Sequence, residues 1–159
     1  MRQTGAEGLD IDAVVKEIIA FAVSSPMFED ARRFLQKCPL PYYILSNIDN
    51  AEIEKIVARH GLRPSGIYTS EDAREYKPRK GIFDKGLQRF GLRADEAVYA
   101  GDSFRNDYEG ARGAGMLSFW LNRRGEAGPD GRRALPDLEA LLPALEILRK
   151  ESEHGDDLS

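Results

Sequence analysis

Two acidic residues lie five positions apart in the segment YAGDSFRND, residues 99–107. Asp102 and Asp107 enclose Ser103 and Asn106, directly after a short apolar run. Carboxylates in this arrangement suit Mg²⁺, a hard cation that proteins bind through one or two carboxylates together with water. The same acids could instead cap a helix and lie in its first turn, where the positive end of the helix favours carboxylates. These residues alone therefore leave both interpretations open.

Three further polar residues follow apolar runs elsewhere in the chain. Ser46 and Asn47 end the run YYIL, and Lys77 lies in the loop between a candidate strand, GIYTS, and the next helix. Each has an ordinary structural interpretation on its own, because Ser and Asn cap helices and turns and most lysines are solvated. Together with the two acids they match phosphoryl transfer, which needs hydroxyl and N–H donors for the phosphate, a positive charge and a metal.

Strand and helix predictions alternate from residue 42 onward. Short apolar runs predict strands at 42–45, 66–70, 97–100 and 116–121, and helical spacing predicts helices at 53–60, 78–90, 106–113 and 138–148, with a loop at 122–136. This alternation predicts a doubly wound, parallel α/β sheet of the Rossmann-like type. Ligands bind at the carboxyl ends of the strands in such sheets, which is where Ser46 and Asp102 fall.

Composition and charge narrow the class of protein. At 159 residues the chain has the length of one domain, and its 42% hydrophobic and 31% charged residues are typical of a soluble globular fold. A formal net charge of -4 argues against nucleic acid or an acidic membrane as a partner. The apolar stretch 18–23 is too short to span a bilayer, no signal-peptide pattern precedes it, and the single cysteine, Cys38, excludes an internal disulfide. We therefore expect a cytoplasmic protein.

Three segments taken together resemble a known enzyme family. YYILSN (42–47), EYKPRKGIF (75–83) and YAGDSFRNDYEGARGAGM (99–116) resemble, in this order, the second, third and fourth signature motifs of the haloacid dehalogenase (HAD) superfamily. The resemblance covers residues 26–122, and the GDS form of the fourth motif is similar to the phosphatase branches, such as the phosphoglycolate-phosphatase-like enzymes. A dehalogenase or a phosphonatase is the weaker alternative.

The resemblance implies a role for each candidate residue. Ser46 would bind the phosphate with Asn47 as a neighbouring phosphate contact, and Lys77 would be the catalytic lysine that neutralises charge around phosphate and nucleophile. Asp102 would bind Mg²⁺ directly, while Asp107 would support the metal site or pair with Lys77. The implied cofactor is Mg²⁺, and the implied substrate is a small phosphorylated metabolite.

The family's first motif has no good counterpart in this sequence. That motif is a strand ending in Asp-x-Asp, whose acids act as nucleophile and as general acid and base. The segment LDIDAVV contains Asp10 and Asp12, but no apolar strand precedes it. Ile11 to Ala22 instead predicts an amphipathic helix, with Asp10 as its N-cap.

The same resemblance divides the chain into three parts. Residues 1–24 are expected to be a residual helix of the family's cap domain, residues 25–150 the α/β core and residues 151–159 a frayed polar tail. Within the core a helix is expected from Pro26 to Gln36, since proline at the first helical position costs no hydrogen bond. The nucleophile strand and most of the cap domain are then missing from the sequence.

A missing first strand would have a structural consequence. In this family the first strand is central, between the strand that here ends at Ser46 and the strand that ends at Asp102. Without it, backbone groups on both neighbouring strands lose their partners, which is costly where they are buried. We expect either that the two flanking strands pair directly or that a homodimer covers the defect.

Three functional hypotheses follow. The first is a Mg²⁺-dependent phosphomonoester phosphatase of the HAD type, in which this chain alone is inactive because the nucleophile is absent. The second is a degenerate family member that binds a phosphorylated ligand or a protein partner without catalysis. An in-frame strand ending in Asp-x-Asp upstream of Met1 would favour the first. The third, an unrelated doubly wound binding domain, is disfavoured because Ser46, Lys77, Asp102 and Asp107 occur in the family's order.

Overall fold

Short parallel strands alternate with helices in the computed structural model, which describes residues 10–155. The strands are β1 (Tyr43–Ser46), β2 (Gly66–Thr69), β3 (Val98–Gly101), β4 (Leu117–Leu121) and β5 (Ala134–Leu135). The α-helices are α1 (Ile11–Ser24), α2 (Glu29–Lys37), α3 (Asn50–His60), α4 (Ser70–Ala73), α5 (Lys80–Phe90), α6 (Gly110–Gly113) and α7 (Leu142–Gly155). Two 3₁₀ turns, Ala94–Glu96 and Glu139–Leu141, and a π-helical turn, Phe104–Glu109, also occur.

The described strands form two separate parallel half-sheets. β1 pairs with β2, and β4 lies between β3 and β5. The predicted α/β class and its parallel, Rossmann-like arrangement are therefore confirmed. Within residues 10–155 no backbone hydrogen bond joins β1 to β3, so the expected direct pairing of these two strands is wrong.

Helices pack on both faces of the β3–β4–β5 half-sheet, and one of them also packs on the β1–β2 half-sheet. On one face Phe83 of α5 belongs to a core cluster against which Leu45 of β1 and Tyr99 of β3 both pack. On the other face Phe34 of α2 and Leu145 of α7 belong to a second cluster. Because side chains from both half-sheets pack on the same cluster with α5, closing the gap between β1 and β3 would disrupt this packing.

The helices before β1 largely follow the prediction. α1 confirms the helix predicted from Ile11 and packs against α3. The second helix begins at Glu29 rather than at Pro26, with Phe28 as the preceding residue. Glu29 and Asp30 then occupy the first turn of α2, where the positive end of the helix favours carboxylates.

Helix α5 begins two residues later than predicted. Pro78 was expected to open it, but the first helical residue is Lys80, and the Lys77–Pro78 peptide bond is cis. The Asn47 side chain explains the shift, because it binds both polar backbone groups of Lys77. The Lys77 N–H donates to Asn47 Oδ1 at 2.8 Å, and Asn47 Nδ2 donates to Lys77 O at 3.3 Å.

Strand β5 lies inside the predicted loop 122–136. The Trp120 N–H donates to Arg133 O, and the Asn122 N–H donates to Leu135 O, both at 2.8 Å. A strand of two residues is too short to show a period in its sequence, which is why it was missed.

The C-terminal helix α7 extends to Gly155, past the predicted end at residue 148. The last four residues of the predicted polar tail, 156–159, lie outside the described part of the chain. No helix between residues 10 and 155 is long and apolar enough to cross a membrane.

Candidate functional site

The five predicted site residues lie around one cavity of about 380 Å³. It lies where β1 and β3 end, as expected for a ligand site in a parallel sheet. The polar residues that line it are Ser46, Asn47, Lys77, Asp102, Ser103, Asn106 and Asp107. Residues from three separate parts of the sequence therefore meet in space.

Three oxygen atoms hold the Lys77 ammonium group. Its Nζ donates to Asp107 Oδ1 at 2.6 Å, to the Tyr99 hydroxyl at 3.1 Å and to the Leu45 carbonyl at 3.3 Å. The side chains of Lys77 and Asp107 are only 11% and 7% exposed. Lys77 therefore presents a positive charge at a fixed position beside the cavity.

Tyr99 links Lys77 to Asp107, and sequence reasoning missed it. Its hydroxyl accepts from Lys77 Nζ and donates to Asp107 Oδ1 at 3.0 Å. Burial raises the pKa of the Tyr99 phenol well above its ordinary range, and the Asp107 carboxylate raises it further. The phenol stays protonated and keeps donating. In the run AVYA, Tyr99 looks like a core residue, although strand alternation places it on the same face as Gly101.

The segment after β3 fixes the Asp107 carboxylate. The Ser103 N–H donates to Asp107 Oδ2 at 3.0 Å, and the Asn106 N–H donates to Ser103 Oγ at 3.1 Å. Phe104–Glu109 forms a π-helical turn in place of the first part of the helix predicted at 106–113. Such turns are rare and frequently occur at functional sites.

Gly101 makes room for this carboxylate. A Cβ atom at Gly101 would lie 2.4 Å from Cγ of Asp107, a separation that real atoms do not adopt. The glycine is therefore required by close packing between the end of β3 and Asp107.

Asp102 differs from Asp107 in being exposed to the cavity and solvent. Within residues 10–155 no hydrogen bond or ion pair engages its carboxylate. Its backbone is fixed, because Trp120 Nε1 donates to Asp102 O at 3.0 Å and Trp120 is 3% exposed. Trp120 is a second site contact that the sequence did not reveal, since it occurs in an ordinary buried strand.

Ser46 and Asn47 reach the cavity in different ways. Ser46 Oγ accepts from the Ile48 N–H at 3.3 Å, which leaves its O–H to donate to a ligand. Both polar atoms of Asn47 bind the backbone of Lys77. The phosphate-binding role of Asn47 stays a prediction, and what the structure shows is that Asn47 positions the lysine.

The first helix supplies an apolar wall. Ile18, Ile19 and Ala22 of α1 line the same cavity, and Ile18 remains 62% exposed. Asp10 is exposed and directly precedes this helix, as predicted for a capping residue, whereas the side chain of Asp12 lies outside the described residues.

The residues present fit a magnesium ion. The ionised side chains that line the cavity are Lys77, Asp102 and Asp107, with a summed charge of -1. No cluster of three or more metal-binding side chains occurs among the described residues. Mg²⁺ does not require one, since it keeps several waters and binds to one or two carboxylates together with substrate phosphate. A divalent cation would also reverse the negative charge that repels a phosphate dianion.

Comparisons with known proteins agree with this geometry. A family model described as haloacid dehalogenase-like hydrolase matches residues 2–115. The haloacid dehalogenase-like hydrolase domain-containing protein 3 of Danio rerio is 34% identical over 82% of this chain and 54% of its own length. The phosphoserine phosphatase of Thermus thermophilus is 31% identical over 71% of this chain and 47% of its own length. The chain thus spans about half the length of these relatives.

The fold is similar to that of solved members of the same family. A crystal structure of a HAD-hydrolase from Bacillus subtilis, bound to magnesium, superposes with a TM-score of 0.74 at 23% identity. The superposition covers 85% of this chain and 62% of that one. Because the family model matches most of the sequence, the chain belongs to the haloacid dehalogenase-like hydrolases, as its three motifs predicted.

Proposed function

We propose that this chain carries the phosphate-binding and Mg²⁺-binding part of a phosphomonoester hydrolase site. The observation that carries the proposal is the fixed Lys77–Asp107 pair, which shares one cavity with the Ser46 hydroxyl and the exposed Asp102 carboxylate. The phosphoserine phosphatase among the relatives supports a phosphomonoester as substrate.

Phosphate recognition would use the positive and neutral donors of the cavity. The Ser46 O–H would donate to one phosphate oxygen, and Lys77 would stabilise charge on another. The positions of Asn47 and Tyr99 matter indirectly, because they hold the Lys77 backbone and ammonium group.

Metal binding would rest on Asp102, with Asp107 adjusting the charge around it. Asp102 has no competing partner among the described residues, whereas Asp107 bonds to Lys77, Tyr99 and Ser103. A bound Mg²⁺ would neutralise phosphate charge and orient the phosphoryl group. The magnesium-bound relative of the same fold supports this choice of ion.

Turnover is expected to be absent or very low in residues 1–159 alone. Covalent phosphoryl transfer needs a nucleophile next to the phosphate, and the carboxylates that line the cavity within residues 10–155 are Asp102 and Asp107. Asp102 is proposed to bind the metal and Asp107 pairs with Lys77, so neither carboxylate is available as the nucleophile. Non-catalytic binding of a phosphorylated ligand or a protein partner is therefore the second candidate function for this chain.

Metal binding can be tested by fluorescence, because the single tryptophan, Trp120, bonds to the backbone of Asp102. We expect a saturable change in Trp120 emission on titration with Mg²⁺. The affinity for Mg²⁺ should be at least tenfold lower in Asp102→Asn. Asp84→Asn, at an exposed position of α5, is the matched control and should bind as the unchanged chain does. A titration without any saturable change, checked by calorimetry, would contradict the proposed metal site.

Catalysis needs a separate measurement. We expect p-nitrophenyl phosphate with Mg²⁺ to be hydrolysed no faster by the 159-residue chain than by Asp102→Ala. Hydrolysis that Asp102→Ala abolishes would overturn the expected inactivity and would make Asp10 or Asp12 the candidate nucleophile. Mg²⁺ and phosphate binding without hydrolysis would support the binding function for the chain alone.

A further inference from the structure

Asp102, the proposed metal ligand, directly follows the last residue of β3 and is exposed. Within residues 10–155 no hydrogen bond or ion pair holds its carboxylate. The position of this carboxylate therefore depends on where the backbone of Asp102 lies, and the contacts that fix that backbone bear on metal binding.

The indole N–H of Trp120 holds the Asp102 backbone from the side of β4. Trp120 Nε1 donates to Asp102 O at 3.0 Å, and Trp120 is 3% exposed. Gly101, the residue before Asp102, is paired in register with Trp120 in the β3–β4 ladder. A hydrogen bond buried in this way is strong, because the surroundings have a low dielectric constant. Displacement of the indole would leave the Asp102 carbonyl without this donor.

Two neighbouring groups fix the indole itself. The Phe104 ring packs against Trp120 edge to face, with 5.0 Å between the ring centroids. The Arg132 guanidinium lies 5.9 Å from the centroid of the Trp120 ring. Nη1 of Arg132 in turn donates to the carbonyls of Gly128 and Pro129, both at 2.8 Å. Both the turn after β3 and the loop after β4 therefore contact the indole.

The loop after β4, residues 122–133, packs closely on the same ring. A Cβ atom at Gly128 would lie 2.9 Å from Cζ3 of Trp120, closer than real atoms approach. The far end of the loop is also attached, because the Arg133 N–H donates to the Tyr108 hydroxyl at 3.1 Å. Tyr108 is 1% exposed and belongs to the π-helical turn after β3. A change in this loop would therefore be transmitted to Trp120 through direct contact.

We propose that Trp120 is a positioning residue for magnesium, and that the 122–133 loop sets the position of the Asp102 carboxylate through it. This role rests on the proposed function, because it takes Asp102 as the metal ligand. Mg²⁺ requires nearly ideal octahedral geometry at about 2.0–2.1 Å, whereas Ca²⁺ binds oxygen at about 2.3–2.6 Å in a flexible arrangement. A fixed carboxylate therefore favours Mg²⁺, and release of the Asp102 backbone should lower the affinity for Mg²⁺ more than the affinity for Ca²⁺.

The indole N–H can be removed while the shape of the ring is kept. Trp120 is the single tryptophan, so expression in a tryptophan auxotroph supplied with β-(3-benzothienyl)alanine changes this position alone. We expect calorimetric titration of this protein to show an affinity for Mg²⁺ that is about tenfold lower, and an affinity for Ca²⁺ that is at most about twofold lower. Loss of structure alone would lower both affinities equally, so their ratio reports positioning. Trp120→Phe should change this ratio in the same direction.

Gly128→Ala tests the loop without removing the indole N–H. The added Cβ would overlap Trp120, and the affinity for Mg²⁺ should fall about threefold, with a smaller change for Ca²⁺. Gly113→Ala is the matched control, because no atom lies within 4 Å of its added Cβ, and it should bind both ions as the unchanged chain does. Urea unfolding checks that each variant folds, and Gly128→Ala decides the result if the Trp120 variants do not fold.

Two results would overturn the positioning role of Trp120. One is a benzothienyl protein that binds both ions as tightly as the unchanged chain, and the other is an equal loss of affinity for Mg²⁺ and Ca²⁺. Either result would leave the proposed metal site at Asp102 in place. A failure of the unchanged chain to bind Mg²⁺ at all would overturn both that metal site and the positioning role.

Discussion

The Nζ atom of Lys77 lies 2.6 Å from Oδ1 of Asp107, and the two side chains are 11% and 7% exposed. The pair joins the loop before α5 to the segment after β3. It stabilises the site only as a pair, because either charge left alone in this position would be desolvated without compensation.

Lys77→Met should therefore lower the free energy of unfolding by about 3–5 kcal/mol, since it leaves the Asp107 carboxylate buried without its cation. Urea unfolding measures this change. Lys80→Met is the matched control, because Lys80 pairs with Asp84 at an exposed position, and it should cost less than about 1 kcal/mol. The double variant Lys77→Met, Asp107→Asn should regain part of the loss. Equal effects of the two methionine substitutions would contradict the buried-pair interpretation.

Gly101→Ala should destabilise the chain by about 1–3 kcal/mol, because the new Cβ would overlap Asp107 and force its carboxylate to move. Displacement of Asp107 should also weaken Mg²⁺ binding, which the Trp120 titration reports. Gly113→Ala is a control at the end of α6, where no atom lies within 4 Å of the added Cβ. That substitution should change stability by no more than about 1 kcal/mol, in the stabilising direction. A Gly101→Ala variant as stable as Gly113→Ala would show that Asp107 relaxes freely.

Tyr99→Phe should lower stability by about 1–3 kcal/mol at neutral pH, since it removes one donor from a buried carboxylate. It should also change the response to alkaline pH. Burial, with the Asp107 charge, raises the pKa of Tyr99 in the folded state, so the unfolded chain releases this proton first. The contribution is fully present below the unfolded pKa, about 10, and is lost as pH rises toward the folded value. Unfolding free energies between pH 8 and 11 should fall more steeply for the unchanged chain than for Tyr99→Phe. Parallel curves would contradict this assignment.

The site could be located from the sequence because its residues follow strands that short apolar runs predict. Ser46 and Asp102 occur directly after apolar runs, and parallel strands bring their carboxyl ends to one edge. Lys77 could be placed there only through the family resemblance, since nothing in EYKP by itself distinguishes it from a solvated lysine.

The features that the sequence did not reveal depend on three-dimensional neighbours. Tyr99 and Trp120 resemble core residues until the structure shows their polar atoms bonded to Asp107 and to the Asp102 carbonyl. The π-helical turn at Phe104–Glu109 has no hydrophobic period of its own. The resemblance predicted that β1 and β3 would either pair directly or be covered by a second copy, and the structure holds them apart with Leu45 and Tyr99 both packed on the cluster that contains Phe83 of α5.

The Asp30 side chain joins α2 to the loop after β4 and to the segment before α7. Its Oδ2 accepts from Arg123 Nη2 and from the Leu138 N–H, both at 2.8 Å, and its side chain is 12% exposed. Burial alone would raise the pKa of Asp30, but the hydrogen bonds from Arg123 and Leu138 outweigh it and lower the pKa below its ordinary value.

Asp30→Asn should therefore cost about 1.5–3 kcal/mol at pH 7, where the carboxylate is ionised in both folded and unfolded chains. Because the folded pKa is depressed, this contribution is present above the unfolded pKa of about 3.9 and is lost as pH falls through the folded value. The stability difference between the unchanged chain and Asp30→Asn should shrink as unfolding is measured from pH 6 down to pH 2. Asp84→Asn, at an exposed position on α5, provides a control that should show a small difference throughout. A loss for Asp30→Asn that stays constant across this range would mean that packing of α2, rather than the ionised carboxylate, accounts for the effect.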